Sequence, residues 1–286
     1  MASKRPPNRI ESLPSGIEVA YWDAIGGDGK PQQRRYRVPG EDGEKLPSVS
    51  TIAGVFEKPG LLGAAVKLQE QGVIELAKAG VNIAGLDQES LRSLLCERGY
   101  HYDSVWAKAR ERGDVAHDML LALVRDGKVP KLSQFPADIR PWIAAGMKWV
   151  FDAEPEIIRA EYLVASLEHG FAGRGDLVCK LRDGRVARVD YKTLTEWKVK
   201  KTSKGEPTDR LLPPYDENLI ALAGYELAAP ESGYEEADCR MIVRLGPDGD
   251  YDVTESHATE EVFLAALTAY NEKRYLATGR PEGVAA

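Results

Sequence analysis

The stretch Gly173-Arg-Gly-Asp-Leu-Val-Cys-Lys-Leu-Arg-Asp-Gly-Arg-Val-Ala-Arg-Val-Asp-Tyr-Lys-Thr193 reads as two short strands joined at Asp183-Gly184. An Asp-Gly pair between two valine-bearing runs is the composition of a tight hairpin, because glycine accepts the positive φ that such turns need. In this reading Asp176 opens the first strand, and Asp190 with Lys192 ends the second. Residues two apart on a strand share a face, so Asp190 and Lys192 project together while Val189 and Tyr191 face the other way. The two carboxylates are therefore expected to meet across the hairpin with an ammonium beside them.

Outward from this hairpin the strand pattern continues. Ile157–Glu168, Phe171–Leu181 and Arg185–Leu194 are separated by His169-Gly170 and Asp183-Gly184, which predicts an antiparallel meander. Asn218–Ala228 reads as a helix, Asp238–Leu245 and Tyr251–Ser256 as strands around Gly246-Pro-Asp-Gly249, and Thr259–Ala277 as a closing helix. Upstream the period changes. Pro47-Ser-Val-Ser-Thr-Ile52 offers hydroxyl caps before an apolar stretch, Pro59-Gly60 breaks the chain, and Leu61–Ala79 has helical spacing at Leu62, Ala65, Val66, Val73, Leu76 and Ala77. Further helices are expected at about 88–97, 102–126 and 137–152. The first fifty residues read as a hairpin: Gly16–Asp23 and Arg34–Val38 around a turn at Gly26-Gly-Asp-Gly-Lys-Pro31. The fold class is α/β, a single domain over 1–286: an N-terminal hairpin (1–45), a helical block (46–153), then a sheet with flanking helices (154–286).

Composition limits the partners. The chain has 286 residues with 38 Lys+Arg against 45 Asp+Glu, a formal net charge of −7. That excludes a protein that coats nucleic acid with its whole surface and disfavours a polybasic membrane binder. No apolar run approaches the ~18 residues of a membrane span, and Met1-Ala-Ser-Lys-Arg-Pro-Pro7 has charge without a following apolar run. The expectation is a soluble cytoplasmic protein with no membrane partner. Cys96, Cys179 and Cys239 are far apart and have no C-x-x-C spacing, so neither a disulfide framework nor a self-contained zinc site is expected; they read as buried small hydrophobes. The chain lacks G-x-x-x-x-G-K-[ST] and G-x-S-x-G, which excludes a P-loop motor, and with it a nucleotide cofactor, and an elbow-type hydrolase.

Paired carboxylates beside a lysine suit a magnesium-dependent phosphodiesterase. Mg²⁺ prefers hard oxygen donors, commonly one or two carboxylates, with water and substrate phosphate completing the shell. An ion so held acidifies water and neutralises charge building on the phosphate, while lysine orients the attacking water. An ordinary hairpin with cross-strand charge pairs has the same local composition, so the wider pattern decides.

That pattern resembles the PD-(D/E)XK nuclease superfamily, with Asp176 as the first acid and Asp190-Tyr-Lys192 as the D-x-K element. Glu161 followed by Gly170-Phe-Ala-Gly173 and Asp176 is similar to the E…G-[YF]-x-G-x-x-D pattern of its RecB-like branch, and Arg112-Gly-Asp-Val-Ala-His117 resembles that branch's R-G-x-x-x-H helix. Leu46-Pro-Ser-Val-Ser-Thr-Ile52 looks like the opening motif of phage exonucleases and of the mitochondrial genome-maintenance exonuclease group. The resemblance covers roughly 46–230. It departs in two places: Gly175 stands where proline usually precedes the acid, and Ala221 stands where the branch has glutamine four residues before Tyr225, with Asn218 on the same helical face.

The resemblance implies a restriction-endonuclease-like core with a central mixed β-sheet flanked by helices. It implies a divalent-metal-dependent DNA exonuclease acting on single strands or ends, in phage-type or bacterial recombination and repair. The implied metal ligands for Mg²⁺ or Mn²⁺ are His117, Asp176, Asp190 and the Tyr191 carbonyl. Lys192 would position the attacking water, and Glu161, with Glu154, Glu156 and Glu168 as rivals, would support the metals. An imidazole ligand predicts that Mn²⁺ serves as well as Mg²⁺ or better. Implied DNA contacts are Arg112, Thr193, Tyr225 and the run Lys198, Lys200, Lys201 and Lys204, with Trp197, Tyr191 or Tyr215 available to stack bases. Between Lys180 and Arg210 ten basic residues face five acidic ones, a local +5 that leaves −12 to the remainder; a cationic track beside such a site is what phosphate neutralisation requires. DNA is the implied partner, with a single-strand annealing protein or a recombinase as a protein partner. A structure- or site-specific endonuclease and a catalytically silent DNA-binding subunit of a recombination complex remain as other readings of the same residues.

Overall fold

The computed structural model describes residues 9–25, 31–40, 43–56 and 61–279. The expected turn residues Gly26 to Lys30 and the Pro59-Gly60 break lie outside the described residues. Strands β1 (Arg9–Ser12), β2 (Glu18–Ile25), β3 (Pro31–Arg37) and β4 (Lys45–Leu46) form an antiparallel four-stranded sheet in that order. The expected hairpin is its centre, with Tyr21 opposite Tyr36. Strands β1 and β4 widen it, and segments this short carry too little alternation to announce themselves.

Helix α1 (Val49–Ala53) starts where the hydroxyl run predicts, with the Ser48 side chain accepting from the Thr51 N–H. The helical block continues with α2 (Leu61–Lys78), α3 (Gln88–Glu97), α4 (Tyr102–Asp126) and α5 (Arg140–Ala153). Helix α2 corrects the expected apolar face: Leu62 is 80% exposed and Val66 is also exposed, while Gly72 and Leu76 are buried. A Cβ on Gly72 would stand 2.6 Å from the Tyr100 carbonyl oxygen, so the line that reaches the neighbouring chain is set by a glycine that apolar counting overlooks. Helices α4 and α5 cross as closely at Gly146, where a Cβ would stand 2.6 Å from Leu120 Cδ2.

The second half supplies β5 (Glu156–Ser166), β6 (Phe171–Lys180), β7 (Val186–Thr193), β8 (Val199–Lys201), β9 (Pro207–Leu211), α6 (Asp216–Leu227), β10 (Cys239–Leu245), β11 (Tyr251–Glu255) and α7 (Glu260–Thr278). The central sheet has the order β11-β10-β7-β6-β5. Strand β10 runs parallel to β7, reached through the α6 crossover, and the other pairs are antiparallel. The fold is thus α/β, with a mixed central sheet flanked by helices. One core lies between the sheet and α4–α5, where Leu120, Trp149, Leu177 and Val189 meet. Another joins α1, α6 and α7 to the opposite face through Ile52, Leu222, Phe263 and Ile242. In a third, Val19 and Tyr21 of the N-terminal sheet, with Leu13 just after β1, pack on Leu163, Ala165 and Ala172. Each fully buried aliphatic or aromatic side chain contributes roughly 1.5–3 kcal/mol of transfer free energy.

Other expectations change. Asp176 lies in the middle of β6 rather than at its start, and Lys200 and Lys201 of the lysine run lie on β8 of a two-stranded ribbon, β8–β9. Cys179 and Cys239 are buried as expected, but Cys96 is exposed. Among the described residues no helix is long and apolar enough to cross a membrane.

Candidate metal centre

The site forms where the central sheet changes phase. Ala160 and Leu177 pack toward the α4–α5 core, whereas Tyr162, two residues from Ala160, belongs to the opposite core. In a regular strand 160 and 162 would share a face. The alternation breaks at Glu161, a non-glycine residue held at φ 49° in the middle of β5. The paired residues Ala160↔Leu177 and Tyr162↔Gly175 flank it, so Glu161 stands opposite Asp176. Both side chains turn toward α4, where ligand atoms of His117, Glu161 and Asp176 all lie within 4.8 Å of one another. A mid-strand residue in the left-handed region costs on the order of 1–3 kcal/mol and persists only where its surroundings impose it.

Asp176 also takes over a sheet hydrogen bond. Regular β6–β7 pairing reaches Leu177↔Val189, and beyond it the Asp176 carboxylate accepts from the Tyr191 N–H at 2.8 Å. His117 Nε2 lies 3.1 Å from the Tyr191 carbonyl oxygen. A carbonyl can only accept, so Nε2 carries the hydrogen. In the neutral imidazole the lone pair is then on Nδ1, 3.6 Å from the same Asp176 oxygen. An imidazole lone pair and two carboxylates converging in this way suit Mn²⁺ or Mg²⁺, and the carbonyl that fixes the imidazole is the usual partner of a ligating histidine.

The expected ligand set is divided differently. Val189 and Tyr191 belong to the α4–α5 core, so Asp190 and Lys192 lie on the other side of β7. There they form an ion pair. Glu161, expected only in support, groups with His117 and Asp176 in place of Asp190. The Tyr191 carbonyl, expected as a ligand, accepts from His117 and, at 3.2 Å, from Lys192 Nζ. Burial pushes the Asp190 carboxyl above its ordinary range, against the pull of Lys192. Burial alone would lower the Lys192 ammonium, but Asp190, Asp176 and Glu217 outweigh it and raise its pKa. Lys192 therefore remains a cation at neutral pH, able to hold an anion or donate a proton but not to act as a base.

The expected DNA contacts scatter. Arg112 stacks 4.5 Å from the Trp142 ring centre, and Trp142 Nε1 donates to the Leu194 carbonyl at 2.7 Å. A Cβ on Gly113 would stand 3.5 Å from Thr193 Oγ1, so the Arg-Gly pair packs α4 onto the end of β7. Tyr225 is buried in the α6 core, and burial together with Asp190 and Asp176 raises its phenol well above the ordinary range. It is a core residue rather than an exposed contact. Trp197 is anchored, donating to Asp248 at 2.9 Å, whereas Tyr215 is exposed. Lys198, Lys200, Lys201 and Lys204 are all exposed on and beside β8, within six to twelve residues of Lys192.

Gly175 explains the first departure from the resemblance. A Cβ there would stand 2.2 Å from the Tyr162 hydroxyl oxygen, which itself accepts from Arg188 Nη1 at 2.9 Å. Gly175→Ala is therefore expected to displace the Tyr162 ring and cost about 1–3 kcal/mol, read as a lowered denaturant midpoint at unchanged slope; a neutral substitution would contradict this packing.

Sequence reasoning missed Arg174, Arg188 and Glu226. Arg188 was legible in principle, as a charge at a strand position between Ala187 and Val189, both buried. No family model matches this chain, and none of the curated proteins matches it. Among solved structures it is similar to one titled "Crystal structure of SSO0001", at 14% identity over 64% of this chain and 75% of that one, with a TM-score of 0.33, a likeness too slight to carry an argument.

Proposed function

We propose that this chain is a divalent-metal-dependent DNA exonuclease with a restriction-endonuclease-like core, hydrolysing phosphodiester bonds at single strands or ends during recombination or repair. The observation that carries the reading is the convergence of ligand atoms of His117, Glu161 and Asp176 within 4.8 Å, on strands next to the one that bears the Asp190–Lys192 ion pair and on α4. His117, Glu161 and Asp176 would hold the ion. When bound, Mg²⁺ or Mn²⁺ supplies acidified water and neutralises charge at the scissile phosphate. Lys192, kept cationic by its carboxylates, orients the nucleophile or holds a phosphate oxygen. Asp190 holds Lys192 in place, and the Tyr191 carbonyl fixes the imidazole edge. The exposed lysines of the β8–β9 ribbon track the backbone of the strand that enters, by sequence-independent phosphate contacts.

The test is cleavage of end-labelled linear DNA by the purified protein with Mg²⁺, with Mn²⁺ and with chelator. Metal-dependent shortening to 5′-phosphate products is expected, with Mn²⁺ at least as effective as Mg²⁺. A closed circular single strand should survive, since an exonuclease needs an end. Lys192→Ala and Asp190→Ala should each abolish cleavage while DNA binding and fold are retained. Undiminished cleavage by both variants, or cleavage in chelator, sinks the reading.

A further inference from the structure

We propose that Arg174 is the positioning residue that holds Glu161 in its metal-facing conformation, and that it is itself held by the N-terminal sheet; this rests on the proposed metal site. Arg174 Nη1 donates to the Glu161 carbonyl at 2.5 Å, and Nη2 donates to Glu11 Oε2 at 2.7 Å. The guanidinium carbon lies 5.3 Å from the centre of the Tyr21 ring. A planar fork with two donors at a fixed angle can grip a carbonyl and a carboxylate at once, which a lysine cannot. Glu11 lies on β1 and Tyr21 on β2, whereas Arg174 and Glu161 lie on adjacent central strands.

The grip falls on the peptide that needs it. Glu161 adopts φ 49°, which strands of L-residues avoid. A regular extended backbone at 161 would carry neither its carbonyl toward Arg174 nor its carboxylate toward α4 and His117. Arg174 is only 13% exposed, so the bond to the Glu161 carbonyl is shielded from competing water. Arg174 does not touch the proposed ion. It acts through Glu161, and the N-terminal sheet thereby becomes part of the site's support rather than an appendage.

The test is Mn²⁺ binding to the full chain without DNA, by calorimetry and by the electron paramagnetic resonance spectrum of the bound ion. Arg174→Leu should weaken Mn²⁺ binding about tenfold, as loss of partners around metal ligands commonly does. Its bound-ion spectrum should shift toward that of Glu161→Gln. In the Glu161→Gln background Arg174→Leu should add no further loss, because the carboxylate it positions is already gone. Equal weakening in both backgrounds, or none in either, overturns the proposal. If Arg174→Leu does not fold, Glu11→Gln carries the same cycle with a smaller expected loss, and additivity there overturns it too. A wild-type chain that binds no Mn²⁺ removes the metal reading itself, an outcome distinct from a normal wild type with an additive cycle.

Discussion

Asp176→Asn is expected to lose roughly a hundredfold or more of Mn²⁺ affinity, and all measurable cleavage, without loss of fold. The size follows from its place: partners one shell removed from a metal already cost ten- to a hundredfold, and Asp176 is one of the three groups that converge. Fold is spared because asparagine keeps an acceptor oxygen for the Tyr191 N–H, the bond that closes the β6–β7 junction at 2.8 Å. Charge argues in the same direction. Asp176 faces Glu161 and also acts electrostatically on Asp190, whose carboxyl it pushes up after burial has done so. Removing one of three crowded carboxylates relieves repulsion in the metal-free protein, so its melting temperature should be unchanged or slightly raised. Saturating Mn²⁺ should raise the melting temperature of the wild type and not of the variant, since only a ligand that binds the folded state stabilises it. Wild-type Mn²⁺ stabilisation in Asp176→Asn would remove Asp176 from the site.

Strand spacing places Asp190 and Lys192 on one face, whereas His117 stands out only through the resemblance of Arg112–His117 to the R-G-x-x-x-H helix; all three sit in regular elements. His117 follows Arg112 and Gly113 on one uninterrupted helix, and Asp190 and Lys192 follow simple strand alternation on β7. The grouping of the acids was not legible, because it depends on a place where alternation fails. Period-two reasoning pairs Asp176 with Asp190 across the hairpin. The φ of 49° at Glu161 and the substitution of an Asp176 side chain for a ladder bond instead turn Glu161 and Asp176 toward α4. Nothing in the residue types at 160–162 signals that turn. Its proposed support is Arg174 together with Glu11, which lies 163 positions from Arg174 in sequence, a separation no local pattern spans. The β8–β9 ribbon escaped for a different reason: its strands are three and five residues long and mostly exposed, so they carry charge but no hydrophobic period.

The charge of the chain takes on a spatial meaning in this arrangement. The +5 segment Lys180–Arg210 contains Lys192 and the exposed lysines on and beside β8, although its Arg188 is buried against Glu226. Under the proposed function, attraction for DNA would be concentrated on those lysines, and salt should weaken binding through few phosphate contacts rather than many.

Arg188→Met is expected to be the most destabilising of the substitutions considered, at roughly 3–5 kcal/mol. The Arg188 side chain is 1% exposed and lies 2.7 Å from Glu226 of α6, whose side chain is 9% exposed. A methionine fills similar space but strips the Glu226 carboxylate of its guanidinium partner, leaving it in the core with the Ala237 N–H as donor among the described residues, and takes away the donor to Tyr162. An uncompensated buried charge, not a lost contact, sets the size of the effect. The partner test follows directly: Glu226→Leu in the Arg188→Met background removes the stranded charge and should recover most of the loss, because an apolar pair of similar volume is often as stable as a buried ion pair. Urea unfolding of the two single variants and the double variant measures this, with coupling of several kcal/mol expected. Function should separate from stability here. Tyr162 fills the space over Gly175, and Arg188 is two residues from Asp190 on the same side of β7, so the repacked double variant should be stable yet keep a weakened Mn²⁺ site. A double variant as destabilised as Arg188→Met alone would show that packing, rather than the stranded carboxylate, governs this junction of α6 with the sheet.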